Sequence, residues 1–186
     1  MHEGWLTPAR RVPSPNQDQR PLCDIDLVVV HGISLPPREY GGNGIDALFT
    51  NTLDAQAHPY FQEIAGLRVS AHLLIRRDGE LVQYVPFEQR AWHAGKSAFE
   101  GRCACNDYSI GIELEGCDEE PYEEAQYQCL AGVLDYLMQC YRGITPARIV
   151  GHSDIAPGRK TDPGPLFDWG RLYTLLTFAQ GKRGSR

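Results

Sequence analysis

The sequence predicts a single α/β domain, and three observations lead to this prediction. The chain has 186 residues, a length typical of one compact domain with its own core. Short apolar β-branched runs predict buried strands, as at Leu27–Val30 and Ile149–Val150. Apolar residues at helical spacing predict two helices, one after Pro121 and one from about Phe167 to Phe178. The sequence contains no internal repeat, which favours one domain over an array of repeated units.

The composition is that of a globular protein. Hydrophobic residues make up 42% of the chain and charged residues 23%, close to the averages of globular proteins. We expect one domain over residues 1–186, with its core at about 20–180 and a polar tail at 181–186.

The first strand and the loop after it are predicted by a change of composition at His31. Leu27–Val30 is fully apolar and ends at His31 and Gly32, which predicts a buried central strand with His31 at its carboxyl end. Residues 33–61 are rich in proline, glycine, asparagine and aromatic residues, so we expect a long loop with one short helix near Ile45–Phe49. Long loops in compact domains are usually functional.

A hairpin and a further strand follow. Residues 69–85 contain an Asp-Gly pair between two β-rich runs, the pattern of a tight hairpin turn. Ser109–Glu115 alternates apolar residues with small or polar ones, which predicts a strand with Gly111 and Glu113 on one face. Glu113 then either faces solvent on a half-buried strand or faces a group that approaches Gly111 closely.

The longest helix is predicted after Pro121, which we expect near its first turn, and before Gly143, which we expect just past its end. The apolar residues at helical spacing are Leu130, Val133, Leu134, Leu137, Met138 and Tyr141. A brief strand at Ile149–Val150 then leads to His152. Residues 153–165 hold several prolines and glycines and are expected to be loop, and the final helix closes the domain.

Charge and hydropathy exclude several classes of partner. The formal net charge is -6, which disfavours the phosphate-neutralising surface that nucleic-acid binding needs. Nothing approaches the run of about 20 apolar residues of a membrane span, and the first residues lack the apolar stretch of a signal peptide. We therefore expect a cytoplasmic protein with no nucleic-acid partner and no membrane insertion, and we infer no obligatory protein partner.

The six cysteines show no regular spacing and, in a reducing compartment, are expected to be free thiols. Cys103 and Cys105 resemble half of a structural zinc site, but no second pair of that spacing completes it. Ordinary packing or surface thiols are the simpler interpretation.

Three side chains have the chemistry of metal ligands. His31 and His152 follow short apolar strands, and Asp162 lies ten residues after His152. Two histidines and a carboxylate give zinc three ligands and leave a fourth position for water, as in catalytic sites. On spacing alone, histidines that satisfy core hydrogen bonds are the more common case, because no compact motif such as H-E-x-x-H is present.

Five ordered segments carry a family resemblance: Val29–His31, Ser70–His72, Arg90–Gly95, Asn106–Gly116 and Gly151–Gly164. Together they resemble the AmpD-type N-acetylmuramoyl-L-alanine amidases, over about residues 4–171. The N-terminal segment 10–16 is similar to that family too. The resemblance implies a fold shared with peptidoglycan recognition proteins, in which helices flank a central mixed β-sheet.

The same resemblance implies the residues of a zinc amidase. At the matching positions, His31, His152 and Asp162 would bind one zinc ion per chain, and Glu113 and Lys160 would form the catalytic pair. Glu113 would move a proton from water to the leaving nitrogen, and Lys160 would stabilise the oxyanion. Many relatives have cysteine where Asp162 stands, and a hard carboxylate also suits zinc.

The implied substrate is a 1,6-anhydro-N-acetylmuramyl-peptide, cut between the lactyl group of the sugar and L-alanine in cytoplasmic peptidoglycan recycling. Removal of this muropeptide would influence β-lactamase induction. Arg68 is the expected clamp for a peptide carboxylate. Trp92 and Tyr60 are expected to line the cleft, although ordinary core packing explains Tyr60 equally well. His93 is expected to orient a ligand or contact substrate, and His72 to be structural.

Two departures from the family bear on substrate binding. Gly32 stands where close relatives have asparagine, so a polar contact near the metal is expected to be lost or moved. Ala104 stands where we expect arginine, and Arg102 is the candidate to replace it.

Two other functions stay open. A binding module of the same fold would recognise muropeptides without cutting them, although competent residues occupy all three ligand positions and Glu113. A cysteine hydrolase would pair Cys105 with a histidine, would survive chelators and would be inactivated by alkylation.

Overall fold

Ten strands and five helices follow one another along residues 3–181, the part of the chain that this computed structural model describes. The strands are β1 (Arg10–Arg11), β2 (Gln17–Gln19), β3 (Leu27–Ile33), β4 (Leu73–Ile75), β5 (Leu81–Gln83), β6 (Gln89–Ala91), β7 (Ala98–Phe99), β8 (Arg102–Cys103), β9 (Ser109–Glu115) and β10 (Ile149–Gly151). The helices are α1 (Gly44–Phe49), α2 (Pro59–Ile64), α3 (Glu124–Cys140), α4 (His152–Ile155) and α5 (Trp169–Gly181).

Six of the strands form the central sheet, in the order β1-β5-β4-β9-β3-β10. Strands β4, β9, β3 and β10 are parallel, and β5 runs antiparallel to β4. The expected mixed sheet flanked by helices is therefore confirmed. The longest register joins β3 to β9 and places His31 opposite Glu113.

Side chains of β3 and β9 alternate between two faces, and both faces are covered. Val28 and Val30 pack in the larger core with apolar residues of α3 and α5. Leu27 and Val29 pack on the other face in a smaller cluster. Every residue of β9 is buried, including Glu113. Glu113 is therefore not the solvent-facing residue of a half-buried strand, because the sheet has a layer of structure on each side.

The predicted hairpin and the predicted strand at Leu27–Val30 are both confirmed, but their lengths differ from the prediction. Strands β4 and β5 pair antiparallel across a turn that contains Gly79, whose φ of 87° favours glycine. These strands are three residues each, shorter than the predicted span. Strand β3 continues beyond His31 to Ile33, so His31 lies within the strand and not at its end.

Helix α3 begins at Glu124, so Pro121 lies just before its first turn and not within it. The Pro121 carbonyl accepts a hydrogen bond from Arg77, and Tyr122 donates to the Pro163 carbonyl. These contacts hold the segment outside the helix. The helix starts instead where the Gln126 side chain accepts a hydrogen bond from the Glu123 N–H.

Two short helices lie where the sequence predicts loop. Helix α2 begins after His58, whose Nδ1 accepts a hydrogen bond from the backbone N–H of Tyr60. Helix α4, of four residues, is too short for its sequence to show helical periodicity. The last helix runs from Trp169 to Gly181, later than predicted, and residues 182–186 of the predicted polar tail lie outside the described residues. Within residues 3–181, none of the helices has the length and apolar character that crossing a bilayer requires.

Candidate active site

Three electron-rich side-chain atoms meet beside the central strands. His31 Nδ1 lies 2.9 Å from His152 Nδ1 and 3.1 Å from Asp162 Oδ2. His152 Nδ1 lies 3.0 Å from the same oxygen. Both histidines are buried and the Asp162 side chain is 16% exposed. These residues, which we call the donor trio, can hold a metal ion.

The backbone explains why residues so far apart in sequence meet here. Parallel pairing of β10 with β3 places Gly151 opposite Val30, so His152 follows directly beside His31. The loop returns to α4 because the Ser153 N–H donates to the Asp162 carbonyl at 3.0 Å. A Cβ on Gly151 would lie 2.9 Å from Pro163 Cδ, so glycine is needed for this close packing.

The outer nitrogen of each histidine has a polar partner, as is usual for metal-binding histidines. His152 Nε2 lies 3.3 Å from the Ala94 carbonyl, which can only accept, so Nε2 carries the proton and Nδ1 is free for a metal. His31 Nε2 lies 2.9 Å from His93 Nδ1. Two imidazole nitrogens and one carboxylate oxygen, converging within 4.8 Å, fit the preferences of a zinc ion.

Burial and hydrogen bonding set the protonation states of His31 and Asp162. Burial lowers the pKa of His31 to about 4, against the opposing effect of its hydrogen bond with Asp162. Burial raises the pKa of Asp162, but hydrogen bonds with His152 and His31 outweigh it and hold that pKa below its ordinary value. The site therefore favours a neutral His31 imidazole and an ionised carboxylate, which are the states that bind metal.

Glu113 lies beside the donor trio and is 8% exposed. Its Oε2 is buried and has no hydrogen-bond partner among residues 3–181. Burial raises the pKa of Glu113 well above its ordinary value, the charge of Asp162 raises it further, and Lys160 acts in the opposite direction. A buried carboxyl group with an unpaired oxygen is suited to accepting and donating protons.

A cleft of about 450 Å³ opens over the donor trio and Glu113. Lys160 lines it with an exposed side chain, and Tyr60, Trp92 and His93 also line it. Tyr60 also packs against the buried cluster of α1 and α2. Its place in the cleft lining and its packing in the core are therefore compatible. The substrate contacts of these residues stay predictions.

Arg68 lies outside the set of residues that line the cleft, although its neighbours Leu67 and Val69 belong to it. Its exposed guanidinium lies 3.3 Å from the Leu67 carbonyl, so the carboxylate clamp stays a prediction. Arg159 does line the cleft, and its Nη2 donates to the Ala94 carbonyl at 2.8 Å. Arg159 is not predictable from the sequence, because no local pattern separates it from other exposed arginines.

The structure explains one of the two family departures. A Cβ on Gly32 would lie 2.3 Å from Tyr122 Oη, so glycine makes room for this buried tyrosine. Arg102 does not line the cleft, because its guanidinium lies 3.7 Å from the centre of the Tyr108 ring. Ala104 also lies outside the cleft lining, so the replacement of the expected arginine by Arg102 stays a prediction.

The cysteine alternatives lack the necessary geometry. Cys105 is fully buried, and its thiol contacts Tyr108 Oη at 3.2 Å and not an imidazole. Cys103 is exposed, and all six thiols are free. Among residues 3–181, the donor trio is the group of three or more possible metal-binding side chains whose donor atoms converge.

Comparison with known proteins assigns the family. Residues 20–165 match the family model described as N-acetylmuramoyl-L-alanine amidase. The chain is 62% identical to the 1,6-anhydro-N-acetylmuramyl-L-alanine amidase AmpD of Escherichia coli, over 95% of this chain and 97% of that protein. It is 53% identical to AmpD of Haemophilus influenzae, over 95% of this chain and 96% of that protein. The chain belongs to the N-acetylmuramoyl-L-alanine amidase family.

Solved structures refine this assignment. A crystal structure of a selenomethionine AmpD derivative matches with a TM-score of 0.92 at 62% identity, covering 95% of this chain and 98% of that one. The amidase AmiD of E. coli, solved with anhydro-N-acetylmuramic acid-L-Ala-D-γ-Glu-L-Lys, matches with a TM-score of 0.61 at 30% identity, over 85% of this chain and 60% of that one. Within its family the chain is an amidase of the AmpD type, which sets aside the non-catalytic binding module.

Proposed function

We propose that this chain hydrolyses the amide bond between 1,6-anhydro-N-acetylmuramic acid and L-alanine in muropeptides, with one zinc ion held by the donor trio. The observation that carries the proposal is the convergence of three metal-donor atoms beside the buried carboxyl group of Glu113 in one cleft. The substrate is supported by the name of the E. coli relative AmpD and by the anhydro-muropeptide bound to AmiD.

The donor trio would bind zinc through Nδ1 of His31, Nδ1 of His152 and Oδ2 of Asp162. When bound, zinc supplies Lewis acidity, which lowers the pKa of a water molecule and polarises a carbonyl group. The Ala94 carbonyl keeps the His152 ring in the orientation that the metal needs.

Glu113 moves the proton in this proposal. An amide nitrogen is a poor leaving group, so it must gain a proton as the bond breaks. The Glu113 carboxylate accepts a proton from the attacking water and delivers it to the L-alanine nitrogen. A metal cation held by the donor trio would lower the raised pKa of Glu113 and so favour the carboxylate form that the first of these steps needs.

Lys160 stabilises the oxyanion that forms on the substrate carbonyl, because its ammonium group lines the same cleft as Glu113. Trp92 and Tyr60 offer ring faces to the sugar or peptide. The substrate carries carboxylates although the chain has a net charge of -6, so local cations such as Arg68 must hold it.

The proposal extends to the cellular role. It places the enzyme in the cytoplasm, in peptidoglycan recycling, where removal of the muropeptide would influence β-lactamase induction. Its partner is then the muropeptide itself, with no nucleic acid, no membrane insertion and no obligatory protein partner.

Identification of reaction products by mass tests the proposal. Purified protein incubated with an anhydro-muramyl tripeptide should release the anhydro sugar and the intact tripeptide. The same peptide on ordinary N-acetylmuramic acid, tested in parallel, measures the preference for the anhydro sugar. Cleavage inside the peptide, or binding without cleavage, would contradict the proposal.

A further inference from the structure

A line of hydrogen-bonded groups leads from the backbone to the outer nitrogen of His31. Ser109 Oγ lies 2.6 Å from the Cys105 carbonyl oxygen and 3.2 Å from His93 Nε2. His93 Nδ1 in turn lies 2.9 Å from His31 Nε2. The remaining nitrogen, His31 Nδ1, belongs to the donor trio.

The position of each proton follows from the backbone end of this line. A carbonyl oxygen only accepts, so the Ser109 hydroxyl donates to Cys105 and its oxygen is free to accept from His93 Nε2–H. A neutral imidazole with its proton on Nε2 has a bare Nδ1, which accepts from His31 Nε2–H. The lone pair of His31 Nδ1 is then directed at the metal site.

We infer that Ser109 is a positioning residue that acts through His93 to fix His31 in its metal-binding tautomer. The inference rests on the zinc site of the proposed function. If these hydrogen bonds ran in the opposite direction, His93 would donate from Nδ1 to His31 Nε2. The proton of His31 would then lie on its Nδ1. That proton would block the nitrogen that the metal needs.

The local structure is built around this contact. Ser109 is fully buried, and a Cβ on Gly111 would lie 2.4 Å from His93 Cγ, so glycine makes room for the imidazole. The backbone N–H groups of His93 and Ala94 both donate to Asn106 Oδ1, which fixes the segment. Ser109, Gly111 and Glu113 share one face of β9 because side chains alternate along a strand.

The second metal-binding histidine does not depend on this line. His152 Nε2 faces the Ala94 carbonyl directly, so a backbone group fixes its tautomer without help from Ser109. Removal of the Ser109 hydroxyl is therefore expected to weaken one of the three ligands and to leave the other two in place.

Zinc affinity, measured by competition with a chelator, tests the inference on Ser109→Ala and Ser97→Ala. Ser97 is the matched control, because it is also buried and its hydroxyl oxygen accepts from the Cys105 N–H at 3.2 Å, without touching an imidazole. Ser109→Ala should lower zinc affinity by roughly 10-fold, the lower end of the range for direct partners of metal-binding histidines, because Ser109 acts through His93. Ser97→Ala should keep the wild-type affinity. Unchanged affinity in Ser109→Ala, or equal losses in both variants, would overturn the inference.

Nitrogen NMR of the imidazoles in the unmodified, zinc-loaded protein tests the same inference without a variant. His93 is expected to carry a proton on Nε2 and none on Nδ1. A zinc-loaded, active protein in which His93 carries its proton on Nδ1 would overturn the inference alone. A wild-type protein that binds no zinc would contradict the proposed function and this inference together.

Discussion

At the scale of single residues, Glu113 and Lys160 have opposite surroundings, and this difference separates their proposed tasks. Glu113 is buried with an unpaired oxygen, as a group that exchanges protons requires. Lys160 is exposed on the cleft wall, where its charge is free to meet a developing oxyanion. Substitutions at the two positions should therefore give different kinetic signatures.

Glu113→Gln should lower kcat by roughly 10²–10⁴, the usual contribution of general acid–base catalysis, and leave zinc content normal. Glutamine keeps the shape of the side chain but cannot carry the proton, and Glu113 is not a member of the donor trio. Steady-state kinetics with metal analysis checks this result. Glu119→Gln, on the same cleft, is the control and should stay close to wild type. Near-normal kcat in Glu113→Gln would mean that another group moves the proton.

Lys160→Met should lower kcat by roughly 10²–10³ with a smaller effect on KM, because its charge is proposed to act mainly in the transition state. Methionine keeps much of the apolar stem of lysine and removes the cation. Lys96→Met, outside the cleft lining, should leave both constants close to wild type. A normal kcat with a greatly raised KM would make Lys160 a substrate-binding residue instead.

At the scale of elements, long segments are predictable from the sequence and short ones are not. Strand β9 and helix α3 are long enough for periodicity to identify them. The strands β7 and β8, by contrast, pair with each other across a turn at Glu100 and Gly101, and two residues each are too few for periodicity to identify them. The register between β3 and β9 comes from packing, so the pairing of His31 with Glu113 is not readable from sequence.

His72 joins two elements, because its Nδ1 accepts a hydrogen bond from the Gly111 N–H of β9 directly before β4 begins. Its Nε2 lies 3.1 Å from the Gln89 carbonyl, which accepts the single proton of a neutral ring. Burial, and then the charge of Arg20, lower the pKa of His72 to about 3. The expected structural role of His72 agrees with these contacts.

This pKa predicts how stability depends on pH. The unfolded chain protonates His72 near pH ~6.5, and the folded chain does so only near its lowered pKa, so low pH favours unfolding. The contribution of His72 is complete above about pH 6.5 and is lost progressively as the pH falls towards its folded pKa. Urea unfolding of metal-free protein should show a loss of about 1 kcal/mol from this group between pH 7 and 5.5. His72→Gln should have a shallower pH dependence, and parallel curves for the two proteins would contradict this account.

At the scale of the whole molecule, the sheet brings together ligands that the chain separates widely. His31 and Asp162 lie 131 residues apart in sequence, yet their side chains are in contact. Parallel pairing of β10 with β3 brings His152 beside His31, and the hydrogen bond from the Ser153 N–H to the Asp162 carbonyl returns the loop to the same place. Sequence spacing alone leaves the zinc site open, and the family resemblance supplies its residues. Neither the spacing nor the resemblance predicts the contact of Ser109 with His93 behind the site, although Ser109 lies on the Glu113 face of β9, a position that can be read from the sequence.

Titration of zinc into metal-free protein, followed by hydrolysis of the anhydro-muropeptide, tests the central claim most directly. Activity should be absent without metal, rise in proportion to added zinc and reach its plateau at one zinc per chain, as expected for a three-ligand catalytic site. The same titration on His152→Ala should show no such plateau. Full activity in the chelated protein, or an unchanged plateau in His152→Ala, would contradict the assignment of His31, His152 and Asp162 as the zinc site of this amidase.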